Sequence, residues 1–319
     1  MLLAVENLSI RIGGIDAVEG VGFTVERGRI LGIVGESGSG KSLTALAVTG
    51  LLPLVGGAVT AGRVVFDGTD LVGLPEPALR RLHGRRIGFV TQNPMTALDP
   101  VHRIGEQVDI VSRLHLGLDR RAARARTVDL LTRMRIPDAA AVCEAYPHQL
   151  SGGMKQRVVI AMALAGDPDL IVADEPTTAL DVTVQAQIVQ LLAALVAERG
   201  LGLVLITHDM GVVAQVCDDV AVLYAGRLAE ARTVRPLFAA PRHPYTRALI
   251  DCIPREGMAP GALAGIPGAV PVASRYPAGC RFHPRCPRAL AACAVTVPPL
   301  LPDAGGRLAC HNPAEADHG

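Results

Sequence analysis

Ile30-Leu31-Gly32-Ile33-Val34, then Gly35-Glu36-Ser37-Gly38-Ser39-Gly40-Lys41-Ser42, then Leu43-Thr44-Ala45-Leu46-Ala47-Val48: an apolar run, a glycine-rich turn and a second apolar run. The first run is short and rich in β-branched residues, which predicts a buried strand. The last suits a helix that begins at Lys41. The turn fits G-x-x-x-x-G-K-[ST], whose glycines let successive backbone N–H groups point inward around an anion. A helix N-terminus adds its positive dipole end. In this register Lys41 is expected to reach β- and γ-phosphates and the Ser42 hydroxyl to bind Mg²⁺. A glycine-rich turn with an exposed lysine is the plainer alternative, and the strand, turn and helix in sequence weigh against it. The motif points to a nucleoside triphosphate and leaves open what its energy drives.

Working outward, short apolar runs predict strands at Val5–Ile10, Gly22–Val25, Arg63–Asp67, Ile87–Thr91, Leu170–Ala173, Leu203–Thr207 and Val220–Tyr224. Several are apolar throughout, as strands covered on both faces are. Helical patterns run over Lys41–Leu52, Thr183–Arg199 and Met210–Cys217. The alternation predicts an α/β fold with a mainly parallel sheet core. The earliest strands lack helices between them and are expected to form an antiparallel β layer. From about residue 100 to 165 strand signals vanish, and Ile104–Leu116, Arg121–Arg135 and Met154–Leu164 read as helices of an inserted subdomain. No internal repeat is present.

Asp169-Leu170-Ile171-Val172-Ala173-Asp174-Glu175 is a strand ending in two acids. Neighbouring side chains on a strand point to opposite faces, so the two are expected to do different work. Asp174 is a candidate Mg²⁺ ligand and Glu175 a candidate base that polarises an attacking water. Either could instead cap the next turn. His208 follows the strand Leu203–Thr207 and could sense a γ-phosphate, although a lone histidine is more often structural. Gln92 closes the strand Ile87–Thr91 and could contact Mg²⁺ or water. Leu150-Ser151-Gly152-Gly153-Met154-Lys155-Gln156 heads a helix, with Ser151 a plausible N-cap and two glycines that allow close approach to an anion.

Composition bounds the alternatives. The chain has 319 residues, 50% of them hydrophobic and only 3% aromatic, so its core is aliphatic. Basic and acidic residues number 31 and 30, which gives no nucleic-acid footprint. The cluster Arg120, Arg121, Arg124 and Arg126 reads as a solvated helix face. No apolar run approaches the ~20 residues of a membrane span. The start, Met1-Leu2-Leu3-Ala4-Val5-Glu6-Asn7, lacks the basic segment of a signal peptide, so a soluble, intracellular chain is expected.

The order of these motifs, with Leu180-Asp181 between the acids and His208, resembles the nucleotide-binding domain of ABC proteins over about residues 2–235. The resemblance implies a P-loop NTPase that binds ATP and Mg²⁺. Two such domains would face each other, each nucleotide held by one domain's Gly35–Ser42 and by Ser151, Gly152, Gly153 and Gln156 of the other. Asp181 would lie at their interface, and Gln92 with the helical insertion would face membrane subunits. With one phosphate loop and one Leu-Ser-Gly-Gly, the chain needs a second cassette, identical or related. The family stacks an aromatic on adenine; here Ile12 falls at that place, with Val18 beside it, so apolar contact is expected to replace stacking.

From Ala239 on, prolines and glycines become dense, which predicts an irregular extension too poor in core to stand without a staple or a partner surface. His243-Pro244-Tyr245-Thr246-Arg247-Ala248-Leu249, Ile266-Pro267-Gly268 and Gly279-Cys280-Arg281-Phe282-His283-Pro284-Arg285-Cys286-Pro287 resemble the C-terminal extension of oligopeptide and dipeptide permease ATPases. Gln92-Asn93-Pro94-Met95-Thr96-Ala97-Leu98-Asp99-Pro100 resembles the same branch. A division into residues 1–235 and 236–319 follows. Cys280, Cys286, Cys293 and Cys310, spaced C-x5-C-x6-C-x16-C, match neither tight zinc pairs nor ferredoxin runs. Free thiols, Zn²⁺ and an iron–sulfur cluster all stay open on spacing; the resemblance implies a [4Fe–4S] cluster. Cys143, Cys217 and Cys252 are expected to be core residues.

The resemblance implies an ATPase at the cytoplasmic face of the membrane that powers uptake of di- or oligopeptides. Its partners would be a second ATPase subunit, two transmembrane permeases and an extracytoplasmic binding protein. Related importers carry nickel or glutathione, and a soluble ABC ATPase of translation or repair is the reading from another class.

Overall fold

The computed structural model describes residues 1–178, 180–254, 265–303 and 305–315; Pro260, one of the prolines of the tail, lies outside them. The strands are β1 Leu3–Ile12, β2 Ile15–Val25, β3 Ile30–Val34, β4 Gly57–Phe66, β5 Thr69–Asp70, β6 Ile87–Val90, β7 Leu170–Asp174, β8 Gly202–Thr207, β9 Asp219–Tyr224, β10 Arg227–Thr233, β11 Leu301–Asp303 and β12 Gly306–Leu308. The helices are α1 Lys41–Val48, α2 Glu76–Leu82, α3 Pro94–Ala97, α4 Ile104–Leu116, α5 Arg120–Arg133, α6 Ala139–Glu144, α7 Gly152–Leu164, α8 Val182–Arg199, α9 Met210–Val216, α10 Val234–Ala239 and α11 Pro244–Asp251. They form two compact units: Met1–Val25, Ile30–Val72 and the chain from Ile206 on, and Glu26–Arg29 with Gly73–Leu205.

The first unit holds an antiparallel layer in the order β2-β1-β4-β5, as the lack of early helices predicts. Gly13 and Gly14, at φ 55° and 79°, make the β1–β2 hairpin turn, and Arg11 and Asp16 pair across it at 2.8 Å. That turn extends β2 back to Ile15, ten residues before its apolar end at Val25 and seven before the expected start at Gly22. A second set of strands runs in the order β11-β12-β10-β9-β3. Here β3 lies parallel to β9, with Ile33 opposite Ala221, and β10 is antiparallel to both β9 and β12. Every residue of β3 is buried, as a run apolar at every position requires. The helix after the phosphate loop ends at Val48, not Leu52, because Gly50 turns at φ 69° and Leu52 starts a separate 3₁₀ turn with Pro53 in it.

The second unit pairs β6 with β7 in parallel, Gly88 opposite Ile171. A side chain at Gly88 would meet the Ala163 carbonyl oxygen at 2.7 Å, so its glycine lets α7 lie close to the sheet. The expected helical insertion is present as α4 to α7. The Asp109 carboxylate of α4 accepts from Arg124 Nε at 2.9 Å and from the Thr127 hydroxyl at 2.5 Å, joining α4 to α5. Arg157 of α7 donates to the Met134 carbonyl oxygen at 2.6 Å. No helix among the described residues is long and apolar enough to cross a membrane.

The C-terminal extension finds its partner surface within the chain. Tyr245, Ile250 and Phe282 are buried in one cluster with Val34, Val222, Tyr224 and Leu237. β12 adds to the edge of β10, with Glu230 opposite Leu308. Cys143 is buried in α6, Cys217 lies 3.0 Å from where a Gly32 side chain would begin, and Cys252 is half-buried after α11. All seven cysteines are free thiols.

Candidate functional site

The phosphate loop leaves the end of β3 and enters α1 as its register requires. A Cβ at Gly35 would stand 2.1 Å from the Leu223 carbonyl oxygen, and one at Gly40 would stand 2.8 Å from Val18 Cγ2. Gly40, the N-cap of α1, adopts φ 95°, open only to glycine without strain. Ser37 and Gly38 are exposed at the crest and Ser39 is buried. Lys41 is 5% exposed, and its ammonium donates to the carbonyl oxygens of Gly35 at 2.8 Å and Glu36 at 3.0 Å. The lysine therefore lies folded along its own loop, with its charge at the loop's centre. The Ser42 side chain is exposed in the first turn of the helix. Val18 is fully buried beneath Gly40, while Ile12 is half-buried at the end of β1. His208 stands exposed directly after β8, and Asp209 caps α9 by accepting from Gly211 and Val212 N–H groups.

In the second unit Asp174 ends β7 and is 7% exposed. Glu175 follows at φ 45°, a left-handed conformation that a residue with a side chain adopts at a cost. One oxygen of its carboxylate accepts from the Gln92 amide at 3.2 Å and from the Thr178 hydroxyl at 2.7 Å. Gln92 and Glu175, 83 positions apart, are thus in contact, and Thr178 is a supporting residue that the sequence motifs do not single out. Within this unit Gln92 and Asp174 offer oxygen donors of the hard type that Mg²⁺ takes, as the Ser42 hydroxyl does in the first.

Ser151 caps α7, its hydroxyl accepting from Met154 N–H at 3.3 Å. Gly152 and Gly153 form the first turn and remain accessible. A Cβ at Gly153 would meet Val184 Cγ1 at 2.9 Å. Gln156 lies deeper, 1% exposed, with its amide nitrogen unpaired among the described residues. Asp181 caps α8 by accepting from Val184 N–H at 2.9 Å, and it stays exposed.

The four late cysteines gather in one place. Cys280 N–H donates to the Cys293 carbonyl oxygen at 2.8 Å, and the Cys293 sulfur accepts from Leu290 N–H at 3.4 Å. Burial pushes the Cys280, Cys286 and Cys310 thiols up, Cys310 to about 11, and the neighbouring sulfurs push in the same direction. Burial and mutual repulsion both oppose thiolates here unless a cation is shared. Among the described residues, no three His, Cys, Asp or Glu side chains are set to hold one metal ion.

Comparison with known proteins finds relatives over nearly the whole chain. A family model described as ABC transporter matches residues 18–178, and one described as Oligopeptide/dipeptide transporter, C-terminal region, matches residues 229–293. The dipeptide transport ATP-binding protein DppD of Escherichia coli (strain K12) is 44% identical, over 98% of this chain and 97% of that protein. A peptide import ATP-binding protein of Brucella ovis is 47% identical, over 89% of this chain and 87% of its own length. Among solved structures, the dimeric post-hydrolysis state of the ATP-binding cassette MJ0796 with ADP and Pi has a TM-score of 0.66 at 30% identity. It covers 73% of this chain and 99% of its own. CbiO1 from Clostridium perfringens, part of the CbiONQ transporter complex, has a TM-score of 0.66 at 29% identity, covering 75% of this chain and 90% of its own.

Proposed function

Because the chain belongs to the ABC transporter family, in its oligopeptide and dipeptide branch, we propose that it is the ATP-hydrolysing subunit of a peptide importer, working at the cytoplasmic face of the membrane. The loop Gly35–Ser42 receives the phosphates, with Lys41 on the β- and γ-phosphates and Ile12 near the adenine. Ser42, Gln92 and Asp174 are the residues that hold Mg²⁺, which neutralises phosphate charge when bound. Glu175 polarises the attacking water and His208 reads the γ-phosphate. Ser151, Gly152 and Gly153, with Gln156 behind them and Asp181 nearby, complete the site of a second cassette. The partners are that cassette, two transmembrane permeases and an extracytoplasmic binding protein. We divide the chain into residues 1–235 and 236–319, a reading supported by the match of residues 229–293 to the C-terminal region of oligopeptide/dipeptide transporters.

The observation that carries the ATPase reading is the buried Lys41 ammonium at the centre of a loop that only glycines can form at Gly35 and Gly40. The carboxylate of Glu175, held by Gln92 and Thr178, supports the choice of base. The grouping of Cys280, Cys286, Cys293 and Cys310 in one core-poor stretch supports a [4Fe–4S] cluster that cross-links the extension.

Reconstitution with the neighbouring permease genes in proteoliposomes tests this directly. Labelled dipeptide is expected to accumulate only with ATP inside the cytoplasmic compartment, and to stop with Lys41→Ala. Nickel or glutathione uptake with no dipeptide uptake would reassign the cargo. ATP turnover on ribosomes or DNA without any permease would overturn the importer.

A further inference from the structure

The turn Cys280-Arg281-Phe282-His283-Pro284-Arg285-Cys286 reaches the phosphate loop at two places. Arg285, with a side chain only 5% exposed, donates from its two terminal nitrogens to the two carboxylate oxygens of Glu36 at 2.8 and 3.0 Å. Three more bonds aim this fork: Nε to the Pro267 carbonyl oxygen at 2.8 Å, and the terminal nitrogens to the Ile266 carbonyl oxygen at 3.1 Å and the Tyr224 hydroxyl at 3.3 Å. A guanidinium bonded on every side acts as a rigid strut. The main chain of Glu36 is held as well, its N–H donating to the Tyr245 hydroxyl at 2.9 Å. Tyr245 is fully buried and meets Tyr224 and Phe282 with ring centroids 4.6 and 5.2 Å apart.

Arg281 acts on the other flank. Its buried guanidinium donates to the Ala225 carbonyl oxygen and to the Glu19 carboxylate. Ala225 stands at φ 46°, and Gly226 beside it at φ 80°. The Gly226 N–H donates to the Ser39 carbonyl oxygen at 3.0 Å, and the Gly226 carbonyl accepts from Glu19 N–H at 2.8 Å. A strained turn persists only when its surroundings over-determine it, and Arg281 with Glu19 supplies that constraint. The loop is thus gripped at Glu36 and at Ser39, by two arginines from one seven-residue stretch of the extension.

We propose that the Cys280–Cys286 turn is a positioning clasp for the phosphate loop: Arg285 through Glu36, and Arg281 through the Ala225–Gly226 turn and Ser39, hold the loop in the shape that receives a nucleotide. Nucleotide affinity then depends on the folded extension. The proposal rests on the reading of Gly35–Ser42 as the nucleotide loop. A loop held in its receiving shape binds at its intrinsic affinity, and a released one binds more weakly by the fraction of time it is correctly shaped.

MgADP and MgATP titrated calorimetrically into the full-length chain test it, with thermal midpoints measured without nucleotide. Arg285→Ala is expected to raise Kd about tenfold, as for a loop correctly shaped a tenth of the time. Glu36→Ala should do the same, and the double variant should be no worse than the larger single, since both cut one contact. Arg285→Lys, which keeps the charge without the fork, should recover part of the affinity. In the reconstituted transporter KM for ATP should rise more than kcat falls. Unchanged Kd in Arg285→Ala, additive losses, or full recovery in the double variant would each overturn the clasp; the last would mean that Arg285 only neutralises Glu36. If Arg285→Ala does not fold, the Lys variant decides: a native Kd there rejects the clasp. Lys41→Ala separates the two readings. Lost binding in Lys41→Ala with native binding in Arg285→Ala rejects the clasp alone, whereas native binding in Lys41→Ala rejects the nucleotide loop itself.

Discussion

The Gln92 amide donates to the Glu175 carboxylate at 3.2 Å, on the same oxygen that accepts from Thr178 at 2.7 Å. The carboxylate is thus oriented before any substrate arrives, on a backbone whose left-handed φ costs on the order of 1–3 kcal/mol. Such cost stored at one residue suits a group that must point in one direction. Glu175→Gln is expected to lower ATP turnover by roughly 10²–10³-fold while MgADP binding stays within about threefold. Phosphate release by the reconstituted transporter checks the first number and calorimetry the second. Turnover preserved in Glu175→Gln would remove this residue as the base.

Gly35→Ala is a sharper test of the loop. The added methyl would lie 2.1 Å from the Leu223 carbonyl oxygen, a backbone atom that cannot step aside. A loss of about 3 kcal/mol or more in stability is expected, because both β3 and β9 must shift to relieve the contact. Urea unfolding of the variant measures it.

Acid stability turns on a residue of the extension. Burial holds the His243 imidazole down at about 4 from its ordinary 6.5, against an opposing backbone hydrogen bond at Ala309. Its Nδ1 accepts from Tyr245 N–H at 3.0 Å, which the neutral ring allows. Between pH 6.5 and 4 the unfolded chain binds this proton and the folded chain does not, so stability is lost as pH falls through that window. Going from pH 6.5 to 5 is expected to cost about 2 kcal/mol through this residue. His243→Asn keeps an acceptor and should flatten the pH dependence of urea unfolding by about one proton.

Tyr245→Phe deletes one oxygen from the core. The Glu36 N–H loses its partner while the ring packing with Tyr224 and Phe282 survives. A destabilisation of about 1–2 kcal/mol is expected from the orphaned donor. A larger loss of nucleotide affinity than Arg285→Lys produces is not expected, since the side-chain fork remains.

The cysteine-rich extension makes a chemical prediction. Chain purified without oxygen should carry iron and sulfide, with Cys286→Ser losing both. Stripping the group should lower the thermal midpoint by several degrees or more, because so core-poor a segment depends on its cross-link. Zinc in place of iron would change the group and keep the structural role, and a metal-free chain of native stability would remove it.

Much of the site was legible from local spacing. The strand–loop–helix around Lys41, the acids closing β7 and the cap at Ser151 involve neighbours in the chain, and each follows from propensity, apolar patterning and backbone sterics. The inserted helices α4, α5 and α7 were equally plain, since their period of apolar residues differs from that of the strands, whereas the six-residue α6 was too short to show one. Unread were Thr178 beneath Glu175, the buried position of Val18 and the polar-looking β10, whose Glu230 is 1% exposed and accepts N–H groups of Arg242 and His243.

Sequence by itself determined the chemistry of the phosphate loop and the kinds of elements that surround it, because those depend on residues a few positions apart. Tertiary structure alone decided who supports them. Arg285 meets Glu36 across 249 positions and Gln92 meets Glu175 across 83. No local preference encodes such a pairing; it exists only after the chain has closed its long loops and buried the groups where a charge or amide must find its partner.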